Sequence, residues 1–397
     1  MHVLLLHSRP LEFGITVGGV PEFLRAITWE FKQLGIEVSI YAGHKSFKSL
    51  THTSTAHDTI KIYSGPIIEP SFWVSRKKIT ALVELCLREK IDILHAQGTY
   101  TPGFMVRELA QMTNLPYVVT SHSDIHPVNS KRLQRRNVRA RLRRILQDAA
   151  WVTHLTPIME EASHKLCDTT MKSSRIHNGI DIDSWLPFRD LPEKNYLLSI
   201  GRLERGKGFH VLIDMYAELV KRGITSALII AGTGQEEEAL RRQCLAHQLN
   251  VVTGYQQGDV IPEKTVIFAG YVRDRLKYEL FAECQCMLFA TQPDLWEEAF
   301  GIVQLEAMAA AKPLVASDIA ATRYLESLGL LAKIVPADDI KAWADKVEAL
   351  LKHPEQRIRF GAANAAAIKL FGWRGIAEKY LRVYQTVLGG LPNGLKA

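Results

Sequence analysis

The stretch YLLSIGRLERGKG, Tyr196 to Gly208, decides the fold. An apolar run of strand length ends at Gly201, a glycine-bearing, charge-rich loop follows, and a helix comes after it. Strand, glycine turn and helix in that order are the repeating unit of a parallel sheet, whose neighbouring strands need a crossover connection. Upstream the same unit occurs as HVLLLH (2–7), the loop EFGITVGGV (12–20) and an amphipathic helix opened by Pro21, a residue suited to a first helical turn. EVSIYAG (37–43), a helix around 75–90, DILHAQG (92–98), a helix from about 102 and PYVVTSH (116–122) continue it. Downstream, ALIIAGTG (227–234), VIFAGYV (266–272), MLFAT (287–291) and PLVAS (313–317) alternate with helices.

Between the two series lies HNGIDIDSWLPFRDLPEKN (177–195), which has turn residues, Pro187 and Pro192 in place of sustained periodicity. The expectation is an α/β chain of two Rossmann-like, doubly wound domains facing a cleft. Residues 1–187 form the first and 188–372 the second, and a C-terminal helix within 373–397 packs back on the first. Ligands of such sheets sit at the carboxyl ends of the strands. Gly18, Gly19, His122, Gly201, Arg202, Lys207, Gly232, Gly234 and Glu298 fall there.

The 397 residues, 47% hydrophobic and 23% charged, are a soluble globular mixture with core enough for two or three domains. Apolar runs such as ALIIAG fall far short of the ~18 to 20 residues that span a bilayer. MHVLLLHSRP has no basic region ahead of its apolar run and no small-residue cleavage pattern, so it reads as a strand and the chain as cytoplasmic. Cys86, Cys167, Cys244, Cys284 and Cys286 are scattered and without a CxxC pair, which suits reduced thiols.

The net charge of +7 belongs to one half: residues 1–189 hold 24 Lys and Arg against 17 Asp and Glu, and the remainder balances. Much of the surplus lies in SKRLQRRNVRARLRRILQDAA (130–150), where basic residues accompany Leu133, Val138, Leu142, Ile145 and Leu146 at helical spacing. Two readings stand. One is a solvated helix face packed through its apolar stripe. The other is a helix on an anionic membrane surface, peripheral to the inner face, where each basic residue adds ~1 kcal/mol. Nucleic acid is not expected as a partner, because no aromatic residues interleave with the arginines to stack bases.

In EEAFGIVQLEAMAAAKP (297–313), Glu298 and Glu306 stand eight positions apart. On one helix their Cα atoms would be ~12 Å apart, beyond the ~5 to 9.5 Å of two carboxylates acting on one bond. They suit the two ends of an elongated ligand, or have no shared role. EEAFGIVQLEAMAAAKPLVAS resembles the ExFGxxxxEAMAxGxPVVAS signature of retaining glycosyltransferases of family four, which have the GT-B fold. GRLERGKG resembles that family's GRLxxxKG and HNGID its PNGVD. DILHAQG and FGWRGIAEKYLRVY (371–384) extend the match over nearly the whole chain in the right order.

The resemblance implies a nucleotide diphosphate sugar as donor substrate, with no cofactor. Glu306 would hold the ribose hydroxyls and Glu298 would lie near the sugar hydroxyls. Ala299, Phe300, Gly301, Ile302 and Val303 would line the donor at the start of the helix, and the backbone around Val272 and Arg273 would meet the base. His122 takes the position from which the family's histidine meets the donor sugar, and His95 is left as mainly structural. The residues themselves support the phosphate site: Arg202 and Lys207 suit a leaving diphosphate, a helix beginning near Gly301 aims backbone N–H groups at it, and Gly18, Gly19, Gly201 and Gly232 allow close approach.

Asp181 and Asp183 imitate a DxD metal motif, but they sit in a turn that explains them, and no metal is expected. The acceptor is expected to be a glycan, lipid-linked or small molecule in surface polysaccharide or glycoconjugate assembly, bound mainly by the first domain. Two departures from the family's pattern stand out: Ala311 replaces a glycine, a change that fits if the backbone there avoids positive φ, and Ala320 and Ala321 replace two more. Trp296 is unusually bulky for its place. An epimerase-like GT-B enzyme and a nucleotide-sugar-binding protein without turnover are the rival classes.

Overall fold

The computed structural model describes residues 1–11, 19–54, 60–70 and 76–389. The chain divides into two units, Met1–Gly179 with Trp373–Ala397, and Ile180–Gly372. The first unit thus ends a few residues ahead of 187, and the terminal helix Trp373–Val387 belongs to it.

In the first unit the strands are β1 (His2–His7), β2 (Glu37–His44), β3 (Thr51–Ser54), β4 (Lys61–Pro66), β5 (Ile93–Gln97), β6 (Tyr117–Ser121), β7 (Trp151–His154) and β8 (Ser173–Arg175). They form one sheet in the order β3-β4-β2-β1-β5-β6-β7-β8, parallel throughout except for β3 against β4. Val3, Leu4, Leu5 and Leu6 are all fully buried, so β1 reads as a continuous apolar run because helices cover both faces of the sheet. On one face, Phe23, Ile27 and Phe31 of the first helix, Gly19–Gln33, share a core with Ile376, Tyr380 and Tyr384 of the terminal helix.

The second unit has β9 (Tyr196–Ile200), β10 (Ala227–Ala231), β11 (Asn250–Thr253), β12 (Thr265–Gly270), β13 (Cys286–Phe289), β14 (Leu314–Ser317) and β15 (Ala332–Val335). Their order is β11-β12-β10-β9-β13-β14-β15, all parallel. From β9 the chain builds outward through β10 and then returns to place β13 on the other flank. The direction of winding therefore reverses between β9 and β13, and such a switch point is where sheets of this kind bind their ligands. GRLERGKG follows β9 and EEAFG follows β13. In the first unit β1 and β5 stand in the same relation.

The basic helix Arg136–Asp148 buries Val138, Leu142, Ile145 and Leu146 within its own unit, so its apolar stripe is spent on packing. No helix among the described residues is long and apolar enough to cross a membrane. All five cysteines are free thiols. Ala320 and Ala321 open the helix Ala320–Ser327, where alanine is the strongest helix former and the replaced glycines are not missed.

Ala311 is different. It closes the helix Ile302–Ala309 with φ +57°, so the condition under which alanine would fit is not met. The Ala311 N–H donates to the Met308 carbonyl at 3.0 Å and the Lys312 N–H to the Ala307 carbonyl at 2.9 Å, the paired bonds of a Schellman ending that favours glycine at this position. An L-residue in the left-handed region costs roughly 1–2 kcal/mol, partly offset by the smaller entropy that alanine loses on folding. Ala311→Gly is expected to stabilise the chain by about 0.5–1 kcal/mol, or roughly 1–4 °C in melting temperature; a drop on thermal denaturation would show that alanine is relaxed there.

Candidate functional site

At the rim of the second sheet the loops close on one another without room for side chains. Gly232, with φ +135°, donates its N–H to the Gly270 carbonyl at 2.7 Å, and a Cβ on it would stand 1.9 Å from the Gly201 carbonyl oxygen. Gly208, at φ +72°, passes so near β13 that a Cβ would meet the Ala290 carbonyl oxygen at 1.9 Å. The loop after β9 is thereby folded onto the end of β13, which brings Lys207 to Glu298.

Lys207 Nζ and Glu298 Oε2 form an ion pair, with the two side chains only 18% and 15% exposed. The Trp296 ring lies against both cations of the loop, 5.5 Å from Lys207 Nζ and 6.0 Å from the Arg202 guanidinium carbon, within cation–π range. Arg202 is exposed and pairs with Glu204 at 2.7 Å. Glu306, inside the helix Ile302–Ala309, is held at 3.0 Å by Lys277, whose ammonium lies 5.6 Å from the rings of Trp185 and Tyr278. Glu298 and Glu306 therefore each have their own lysine. Glu298 lies outside the helix, so the spacing calculated for one continuous helix does not describe the pair.

Gly301, at φ +75°, starts that helix, and Ile302 and Val303 are its first residues. Phe300 is buried and Ala299 half-buried. Gln304, in the same turn, is fully buried, and its amide has no hydrogen-bond partner among the described residues. Val272 is buried, and Arg273 is exposed with its Nε 3.5 Å from Asp274. Among the described residues no group of three His, Cys, Asp or Glu is arranged to hold a metal ion.

In the first unit His122 directly follows β6. Its Nε2 lies 3.1 Å from Gln97 Oε1, and its ring meets Phe23 edge-on at 5.8 Å. Burial, and secondly the neighbouring His7, push its pKa down to about 4, so the ring is neutral at pH 7. Gly19 is the first residue of the helix that carries Phe23, and Gly18 lies outside the described residues. His95 is enclosed between Tyr384 and Thr120, each at 2.7 Å.

Three residues at these rims carry no motif of their own in the sequence. Gln97 stands two positions after His95, hence on the same face of β5. Lys277 carries no local signal, because its meaning comes only from Glu306 in space. Glu297 precedes the motif, is buried, and has its pKa raised to about 7, first by burial and then by the charge of Glu298.

With the geometry in place, comparison with known proteins assigns the class. The chain is similar to the phosphatidyl-myo-inositol mannosyltransferase of Mycobacterium leprae, 34% identical over 219 residues, which are 53% of each protein; it spans about half the length of that curated relative. It is 23% identical over 394 residues to O-antigen chain mannosyltransferase C of Escherichia coli, covering 97% of this chain and 98% of that one. The structure of Anabaena HepE in complex with UDP superposes with a TM-score of 0.73 at 16% identity, over 97% of this chain and all of that one. The fold is GT-B. Residues 17–184 match Glycosyltransferase Family 4 and residues 187–366 match Glycosyl transferases group 1, so the chain belongs to the family-four glycosyltransferases.

Glu297 gives this site a pH signature. Its carboxyl ordinarily ionises near 4.5 and in the fold near 7. Between those values the native state holds a proton that the unfolded state has lost, so this contribution to stability declines as pH rises through the window and stays a fixed cost above it. Glu297→Gln is expected to be more stable than the native chain by on the order of 2 kcal/mol at pH 8 and equal to it at pH 4. Denaturant melts at the two pH values check this, and an identical difference at both would show that ionisation of Glu297 plays no part.

Proposed function

We propose that the chain is a retaining hexosyltransferase that moves a sugar from a nucleoside diphosphate sugar to a hydroxyl of a glycan, lipid-linked or small-molecule acceptor, in surface polysaccharide or glycoconjugate assembly. The observation that carries the reading is the rim of the second unit, where Lys207, Arg202, Glu298 and the helix starting at Gly301 meet. The relatives, two of them mannosyltransferases, and the UDP bound to HepE agree with it.

In this reading Lys207, Arg202 and the backbone N–H groups of Gly301, Ile302 and Val303 at the helix start neutralise the leaving diphosphate. Loss of one such preorganised partner costs ~3 to 4 kcal/mol in the transition state. Glu306 accepts the ribose hydroxyls and Glu298 the sugar hydroxyls, Val272 and Arg273 meet the base through their backbone, and neutral His122 hydrogen-bonds the sugar. None of these carboxylates is an evident covalent nucleophile, which favours front-face displacement assisted by the leaving phosphate. With two cations on the diphosphate the reaction needs no divalent metal, and turnover is expected to survive EDTA.

The acceptor side is proposed to work at the inner face of an anionic membrane. Lys131, Arg132, Arg135, Arg136, Arg143 and Arg144 are exposed, and with the apolar stripe buried they bind by charge rather than by insertion. Phosphatidylserine vesicles are expected to co-sediment the chain at low salt and to release it near 1 M, where screening shortens to ~3 Å. Retention by a variant with Arg135, Arg136, Arg143 and Arg144 changed to Glu would rule this surface out.

The decisive test of the donor site is thermal stabilisation by UDP, GDP, ADP and CMP. A nucleotide at one hundred times its dissociation constant adds ~2.7 kcal/mol to the native state, and Glu306→Ala is expected to abolish the gain. Stabilisation of neither protein by any of the four would count against the transferase reading.

A further inference from the structure

The face of the first sheet that meets the terminal helix should be wholly apolar, yet it carries a line of polar side chains. β5 contributes His95 and Gln97, β6 Thr120, β7 Thr153, and the terminal helix Tyr380 and Tyr384; all are between 0% and 3% exposed. They are hydrogen-bonded to one another. His95 Nδ1 is 2.7 Å from the Tyr384 hydroxyl, His95 Nε2 is 2.7 Å from Thr120 Oγ1 and 3.3 Å from Gln97 Nε2, and Gln97 Oε1 is 3.1 Å from His122 Nε2. Thr120 is tied in turn to Thr153 at 2.7 Å and to Tyr380 at 3.4 Å.

A buried network persists only if each donor finds an acceptor, and with the Gln97 amide nitrogen turned to His95 and its oxygen to His122 this requirement orders the protons. A neutral imidazole has one N–H and one lone pair. His95 Nε2 faces the Gln97 amide N–H and the Thr120 hydroxyl, both of which donate to it, so the proton of His95 is on Nδ1 and is donated to the Tyr384 oxygen. With its nitrogen turned to His95, the Gln97 amide has only its oxygen to offer His122, and an oxygen accepts. The proton of His122 is therefore on Nε2, and Nδ1 is left as the ring's acceptor.

We propose that Gln97, oriented by His95 and Tyr384, is a positioning residue that locks His122 in its Nε2–H tautomer, so that Nδ1 accepts a hydroxyl hydrogen of the bound sugar. The proposal rests on the reading of His122 as a donor-site residue. It also gives the terminal helix a part in the chemistry, since the far end of the lock is Tyr384. A core filler at position 97 would pack as well, but it could not choose a tautomer.

The test uses the full chain labelled with nitrogen-15 histidine. Proton–nitrogen correlation of the ring nitrogens reads each tautomer directly, and the His122 signals are those lost in His122→Asn. UDP-glucose and GDP-mannose, each assayed for release of the diphosphate, give turnover. Native His122 is expected to be protonated on Nε2. Gln97→Leu shifts it toward the Nδ1–H form and lowers kcat about tenfold, what one lost hydrogen bond is worth, with a smaller change in donor KM. Gln97→Glu, which keeps an acceptor at that place, restores the Nε2–H signal and most of kcat. Tyr384→Phe keeps the ring and the packing, and it shifts the tautomer in the same direction as Gln97→Leu.

A native His122 protonated on Nδ1, or one unchanged in both Gln97→Leu and Tyr384→Phe, overturns the proposal. A tautomer that shifts while diphosphate release does not change upholds the coupling and removes His122 from the reaction.

Discussion

In a parallel sheet covered on both faces the backbone groups pair within the sheet and the side chains meet helices, so polar chemistry collects where strands hand over to helices. Both units obey that constraint, and the rest of the site follows from it. Where winding reverses beside β9, the flanking loops lean together, and Gly232 and Gly208 let backbone touch backbone at distances that any Cβ would forbid. Lys207 and Glu298 come from segments far apart in sequence and meet because those loops close.

The charges gathered at the second rim are already compensated. A half-sheltered ammonium or carboxylate is costly unless paired, and the lysine partners of Glu298 and Glu306 meet that need without a ligand. A bound diphosphate would therefore exchange one partner of Lys207 for another instead of entering a field of bare cations. That favours an anion able to reach Lys207 and Arg202 together over a single small ion. The first rim takes the opposite course: burial keeps His122 and His7 neutral, with pKa values near 4, which suits hydroxyl groups better than phosphates.

The alternation of apolar runs and glycine turns made the fold legible, because long strands buried on both faces have no other reading. The short edge strands β3 and β8 were not visible because their residues are polar and a sheet edge asks for no apolar pattern, and β11, with only Val251 and Val252 between polar ends, is too short to show one. Ala311 could not be judged either, since whether alanine is strained depends on φ, which no residue identity reveals. For the candidate site, the residue types of the motifs located the rims, while the partners that define their electrostatics stayed hidden. Lys277 and Gln97 acquire meaning only from a neighbour brought to them by the fold, and Glu297 only from its burial.

The same distinction explains the terminal helix. Its apolar residues Ile376, Ala377 and Val383 would suit any exposed sheet face, but Tyr380 and Tyr384 suit this one, where His95 and Thr120 wait for hydroxyl partners. Apolar burial alone is tolerant of register. A hydroxyl that must meet an imidazole nitrogen within 3 Å is not, and a mismatch would leave buried polar groups unpaired at ~1 to 3 kcal/mol each. The polar line thus fixes which turn of the helix lies over which strand. Because those residues follow the whole of the second unit in the chain, the first unit completes its buried face only after the second has been synthesised.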